Sequence, residues 1–167
     1  MRFYLPLLVF LVACQQEPPV EPSPMPRLYF RGISMTDHNG LSLNEEDSTD
    51  WRVDDTWLEQ ELGLFPPPNS YSMCLHDGLI RVYPAFPNPV GNVLGLYFVS
   101  KANLKWTFNL VDEQLVSRQL LVHTAVEGVN SIQLDVSSIV EKDTFRLYYE
   151  ALDQGCVYRG HGDLLFQ

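Results

Sequence analysis

Cys74-Leu75-His76-Asp77 sets a thiol beside an imidazole and a carboxylate, the groups from which a cysteine nucleophile and its base are built. That chemistry needs the groups to meet in space, and neighbours along a strand point to opposite faces, so the run is not read as catalytic. Cys74 has a second use. With Cys156 it makes an even pair that oxidation can join in an exported chain, unless the two stand apart as buried thiols. A bridge between them would close a loop for which chain entropy gives about 4 to 5 kcal/mol.

Glu45, Glu46, Asp47, Asp50, Asp54 and Asp55 could supply oxygens to calcium, which takes six to eight. No loop here alternates its ligands as calcium requires, and Asp37-His38-Asn39-Gly40 lacks the first Asp-x-Asp step. A solvated acidic loop, or acids near a helix N-terminus, accounts for the cluster. His38, His76, His123 and His161 stand singly, outside any zinc-type spacing. There is no Gly-x-Ser-x-Gly elbow and no phosphate loop. The chain is therefore read as a non-enzyme without metal or cofactor. Trp51, Trp57 and Tyr29 could present flat apolar faces to a sugar, although packing of a short helix on a β domain uses large aromatic side chains just as well. Arg159-Gly160-His161-Gly162-Asp163 reads as a glycine-permitted turn that breaks the chain before 164–166. Trp51, Trp57, His161 and Asp163 are thus the candidate ligand-binding residues.

The elements that would position them change character along the chain. Residues 28–33 are apolar and aromatic and are read as a first strand. Within 55–63, the Thr56 to Glu59 spacing is a capping box and Gly63 sits where a left-handed residue ends a helix, so a short helix is predicted, stopped by Pro66-Pro67-Pro68. Its Trp57, Leu58, Leu62 and Phe65 fall near one face. From 79 onward the pattern turns to β, with strands predicted at 79–86, 93–99, 104–111, 115–123, 129–136, 145–152 and 156–159. Leu104, Trp106, Phe108 and Leu110 alternate with Lys105, Thr107 and Asn109, which predicts one buried and one wet face. Ile132, Leu134 and Val136 alternate with polar neighbours in the same way. Asp153-Gln154-Gly155 is read as a hairpin turn. Seven or eight short strands at near-regular spacing argue for a sandwich.

At the other end, Arg2 precedes an apolar run over 5–12 that is too short to span a bilayer and has the length of an export signal. No later 18-residue apolar run follows. Residues 15–27, QQEPPVEPSPMPR, read as an extended proline stalk rising about 3.1 Å per residue. Loss of 1–13 would remove Arg2 alone among charged residues and take the net charge from −10 to −11. An acidic chain of this kind is not a nucleic-acid binder and is not drawn to anionic lipid.

Leu11-Val12-Ala13-Cys14 resembles a bacterial lipobox. The resemblance implies cleavage before Cys14 and a diacylglyceryl group on its thiol, so that Cys14 becomes the first residue. Two or three acyl chains make a durable anchor where one does not. Gln15, in place of the aspartate that retains such lipoproteins at the inner membrane, points to the outer membrane. Val82-Tyr83-Pro84 with Pro87-Asn88-Pro89 resembles the Tyr-Pro-Asn-Pro opening of the immunoglobulin-like C-terminal sorting domains of type IX secretion. Leu115-Val116 and Ile132-Gln133-Leu134 before Ile139 are similar to later landmarks of that family. Glu113, Asp143 and Phe145 replace family residues, and the chain continues about twenty residues past the expected end, so the resemblance implies the fold and not the sorting signal. The whole resembles small exported lipoproteins of the Bacteroidota.

The expectation is an all-β protein: an immunoglobulin-like antiparallel β-sandwich with a short N-terminal helical extension. Residues 1–13 form the signal peptide, 14–27 the lipidated cysteine and linker, and 28–167 one domain, with 28–78 as extension and 79–167 as sandwich core. Its expected role is interaction or scaffolding at the outer membrane, held by its lipid, with an envelope protein or a glycan as partner and no nucleic acid. The alternative is a carbohydrate-binding accessory protein or envelope hydrolase. A pocket with convergent polar groups would favour the alternative, and a filled sandwich without a cleft the first reading.

Overall fold

The computed structural model describes residues 27–30, 32–54, 56–65, 72–74 and 80–167. The signal segment, Cys14, the stalk up to residue 26, Asp55, and His76 with Asp77 lie outside the described residues. The elements are β1 (Arg52–Val53), α1 (Glu59–Leu62), β2 (Ser72–Met73), β3 (Arg81–Val82), β4 (Val93–Ser100), β5 (Lys105–Val111), β6 (Ser117–Thr124), β7 (Gly128–Asp135), β8 (Thr144–Asp153) and β9 (Cys156–Leu165).

They form two sheets. The larger has the order β1-β9-β8-β5-β6, with β2 pairing in parallel on β9, and the smaller has the order β3-β4-β7. The other pairings are antiparallel. The two sheets pack face to face as an all-β sandwich. Between them, Leu94, Leu96 and Phe98 of β4 and Ile132 and Leu134 of β7 meet Trp106, Phe108 and Leu110 of β5 and Leu147 and Tyr149 of β8. Period-2 alternation produces this layer, since every second side chain of a strand faces the opposing sheet. Phe98 of one sheet lies 4.6 Å from Trp106 of the other, ring centre to ring centre. Burial of each such side chain contributes roughly 1.5 to 3 kcal/mol. A void of about 10 Å³ lies in the core beside Leu94, Phe108 and Leu134.

Over part of β5 the outer face of the larger sheet is buried as well, which corrects the expectation of a wet face at Thr107 and Asn109, while Lys105 and the neighbouring Leu120 and Val122 of β6 stay exposed. Asn109 and Val111 are covered by 57–65, through Leu64 and through Trp57 and Phe65. Asn109 Nδ2 donates to the Leu64 carbonyl at 3.0 Å, and its Oδ1 accepts from Ser117 Oγ at 2.7 Å, so the polar residue keeps its hydrogen bonds in the interior. Trp57 stacks on Phe65 and meets the edge of Tyr148.

Three local expectations change. The described residues of 28–33 form no strand; the backbone of Leu28 donates instead to the Glu113 carbonyl at 2.7 Å. The helix is a single turn of four residues. Thr56 is not its cap, because its hydroxyl and N–H both donate to Asp54 Oδ1, closing a turn ahead of the helix. Leu58 is the cap residue, its N–H donating to Glu61 Oε2 at 2.6 Å, and Gly63 is right-handed at φ −65°. Glu61 turns inward beside Trp57 and Phe65, while Leu58 and Leu62 face solvent.

The third change is at 159–163, which is strand rather than turn: β9 runs unbroken through both glycines for ten residues. Glycine is required there by space. A Cβ on Gly160 would stand 1.9 Å from the Arg52 carbonyl oxygen, and one on Gly162 would stand inside the Trp51 indole. The expected hairpin turn does form, at Gln154 and Gly155, with Gly155 at φ +100°.

Candidate functional site

The edge strands β1 and β3 belong to different sheets, and the sandwich is open along the seam where they approach each other. A recess of about 350 Å³ lies on that seam, a size typical of small-molecule sites. Arg52 comes from β1, Arg81 from β3, and the loop before β1 supplies Glu46, Asp47, Asp50 and Trp51. Turn chemistry shapes this loop. Asp47 Oδ1 accepts from the N–H and the hydroxyl of Thr49 at 2.8 and 2.7 Å, and those bonds hold its carboxyl below the usual range. Trp51 follows in the left-handed region at φ +58°, which turns the chain into β1, and its N–H donates to the His161 carbonyl.

Asp50 is the unusual group of the recess. Ser34 donates to its Oδ2 from both N–H and Oγ at 3.4 Å, and the Asp163 N–H donates to its Oδ1 at 3.3 Å. Burial, reinforced by the charge of Asp163, pushes its carboxyl up to about 7.

A second recess of about 180 Å³ adjoins the first and shares Glu46, Arg81 and Pro84 with it. It lies on the outer face of the smaller sheet. Tyr83 follows β3, and its N–H donates to the Tyr97 carbonyl of β4 at 2.9 Å, which sets the two phenols side by side on that face. Both stay open to solvent, at 37% and 44% exposure. Phe86 lies flat over β4 because Gly95 has no side chain: a Cβ there would stand 2.6 Å from the ring. Phe86 and Tyr97 are 4.9 Å apart, and the Arg81 guanidinium stacks on Tyr83 at 4.6 Å. Asn39 and Ser42 close the far side. The result is one continuous groove, polar at the seam and aromatic on the sheet.

His161 and Asp163 are not in this groove as ligand-facing side chains. They stand on the outer face of β9 in a ladder of three cross-strand pairs with β8: Arg146 with Asp163, Tyr148 with His161, and Glu150 with Arg159. Arg146 grips Asp163 with two hydrogen bonds, Nε to Oδ1 at 2.6 Å and Nη2 to Oδ2 at 2.8 Å. Arg159 Nε donates to Glu150 Oε2 at 2.9 Å. The Tyr148 hydroxyl donates to Glu61. Burial, with the nearby Arg146 charge, lowers the His161 imidazole to about 4, so it is neutral; its Nδ1 stands 3.6 Å from Asp54 Oδ2. Arg146 with Asp163, Arg159 with Glu150, and Tyr148 with Glu61 satisfy one another in the interior, the last pair tying the extension to the sheet, whereas His161 Nδ1 is buried with no hydrogen-bond partner among the described residues.

Trp51 and Trp57 are 7% and 9% exposed and sit on opposite sides of the larger sheet, Trp51 with the inner core and Trp57 with the outer layer. Tyr29 is exposed elsewhere, its carbonyl accepting from Arg146. The three do not form a platform. Cys74 and Cys156 are joined as a disulfide across 82 residues, with Cα atoms 5.0 Å apart, which clips β2 to the start of β9. A bonded Cys74 is no nucleophile. Among the described residues, no three His, Cys, Asp or Glu side chains come together as a metal site.

Arg81, Phe86 and Tyr97 are not among the residues the sequence singles out, and Tyr83 enters there only through the Val82-Tyr83-Pro84 resemblance, not as a ligand-binding residue. The trace that could have found them is the tyrosine flanked by Leu96 and Phe98: strict alternation requires Tyr97 to point away from the core, and an outward tyrosine beside a strand glycine marks a surface. Comparison of the chain with protein-family models, curated proteins and solved structures finds no match. The class is thus set by the fold and the groove themselves: an all-β sandwich with a mixed polar and aromatic groove at the seam of its sheets.

Proposed function

We propose that the protein is a lipid-anchored module of the bacterial outer membrane that works by binding rather than by catalysis. The observation carrying the binding role is the groove, where solvent-open aromatic rings and charged side chains from two sheets converge. On the outer face of the larger sheet Arg146 is paired with Asp163 and Arg159 with Glu150, which supports a structural use for Asp163. The tether rests on Leu11-Val12-Ala13-Cys14, and the stalk over 15–27 would hold the sandwich off the membrane.

Intact-mass measurement of the protein purified from a bacterial envelope, beside Cys14→Ser, tests the tether. A chain beginning at Cys14 with a diacylglycerol-sized addition, lost in the variant, is the expected result. An unmodified chain, or one cut elsewhere, overturns the anchor.

A further inference from the structure

We infer that the groove running from the Arg52–Arg81 seam to the Tyr83–Tyr97 face binds a neutral glycan chain. The inference rests on the binding role just proposed and names the ligand of that site.

Three observations select this chemistry. Tyr83 and Tyr97 present adjoining, solvent-open rings on a sheet face, and Phe86 extends the apolar surface because Gly95 lets it lie against the strand. Such a surface accepts the flat C–H face of a sugar ring, which a strongly hydrated ion cannot use. Next to it, both signs of charge are present: Arg52 and Arg81 line the recess together with Glu46, Asp47 and Asp50. A polyanion would meet the three acids and a polycation the two arginines. A polyol offers each hydroxyl as donor and acceptor, so it satisfies carboxylates and guanidiniums alike. Finally, the two recesses, about 350 and 180 Å³, adjoin at Glu46, Arg81 and Pro84, which suits a chain of several rings rather than a single enclosed monosaccharide.

The test uses the purified lipid-bearing protein in detergent and the full chain carrying Cys14→Ser, each applied to a printed array of neutral and acidic glycans and to a phage-displayed peptide library. The expected result is retention of one or more neutral glycans by both forms, weakened at least tenfold by Tyr97→Ala and by Tyr83→Ala. Leu120→Ala, on β6 at the far edge of the other sheet, should bind as wild type does. Gly95→Ala, which removes no groove side chain but pushes the Phe86 ring off the strand, should weaken binding too. Silence on every glycan, or glycan binding that Tyr97→Ala and Tyr83→Ala leave unchanged, overturns the inference. If glycans fail but a peptide is selected whose binding Tyr97→Ala abolishes, the binding role survives and the glycan assignment does not. If neither class binds, both fall.

Discussion

The indole of Trp51 occupies the space above Gly162, its Cε2 only 2.2 Å from where a Cβ on that glycine would stand. The N-terminal segment is thus laid directly on the backbone of β9. Gly162→Ala must push the indole or the strand aside, and overpacking of this kind costs about 3 kcal/mol. Urea unfolding should show that loss, while Gly91→Ala, where no atom lies within 4 Å of the added carbon, should stay within about 0.5 kcal/mol of wild type. An alanine at 162 as stable as wild type would contradict the packing described.

Asn88 ties three segments together. Its Nδ2 donates to the carbonyls of Ser34 and Asp163, and its Oδ1 accepts from the Leu165 N–H. The residue is fully buried, so Asn88→Ala leaves those groups unsatisfied and should cost about 2 to 4 kcal/mol. Asn88→Asp keeps the size and removes the donor, placing a carboxylate against two carbonyls. Its stability should fall below that of the alanine variant at pH 7 and recover in acid, which thermal melts at pH 7 and pH 4 would read directly.

Asp50 and His161 pull the pH profile in opposite directions. Asp50 has its folded value raised to about 7, so the folded state holds a proton that the unfolded chain releases near 4, and stability is lost as pH rises from about 4 to about 7. His161 is lowered to about 4, so its contribution is present above about 6.5 and lost as pH falls towards 4. Asp50→Asn should therefore gain on wild type with rising pH across that window, by at most about 1.4 kcal/mol per pH unit, and keep a constant difference above it. A difference between the two proteins that does not vary with pH in chemical unfolding would remove Asp50 as the cause.

Reduction should be costly. Replacing both Cys74 and Cys156 by serine frees an unfolded chain that the bridge had closed across 82 residues, and chain entropy puts the loss at about 4 to 5 kcal/mol. Unfolding midpoints with and without reductant give the number for the native cysteines. Equal midpoints would mean that the bridge adds nothing.

The sandwich was legible wherever one physical rule acted alone. Alternation in 129–136 placed Ile132 and Leu134 inward, and β7 spans Gly128–Asp135 with that burial. The rule misled on β5, since Thr107 and Asn109 obey the pattern of a wet face and are buried, Asn109 by a distant segment that no local window contains. Glycines misled at 160 and 162 for a related reason: they permit a turn, but here they make room for Trp51 and for the Arg52 carbonyl. The apolar face expected of the helix failed at Glu61, which Tyr148 and Arg146 hold inward while Leu58 and Leu62 face solvent. The groove was the least legible, since Arg81 and Arg52 are far apart in the chain and meet only once two sheets have been laid together.

β9 is the final strand of the sequence yet lies inside the larger sheet, between β1 and β8, with β2 also pairing on it. A chain made from its N-terminus carries 51–53 and 72–74 with no strand to pair with until residues 156–161 have followed. Cys74 waits equally long for its partner. The order of synthesis thus leaves the docking of the extension and the closing of the seam to one late event.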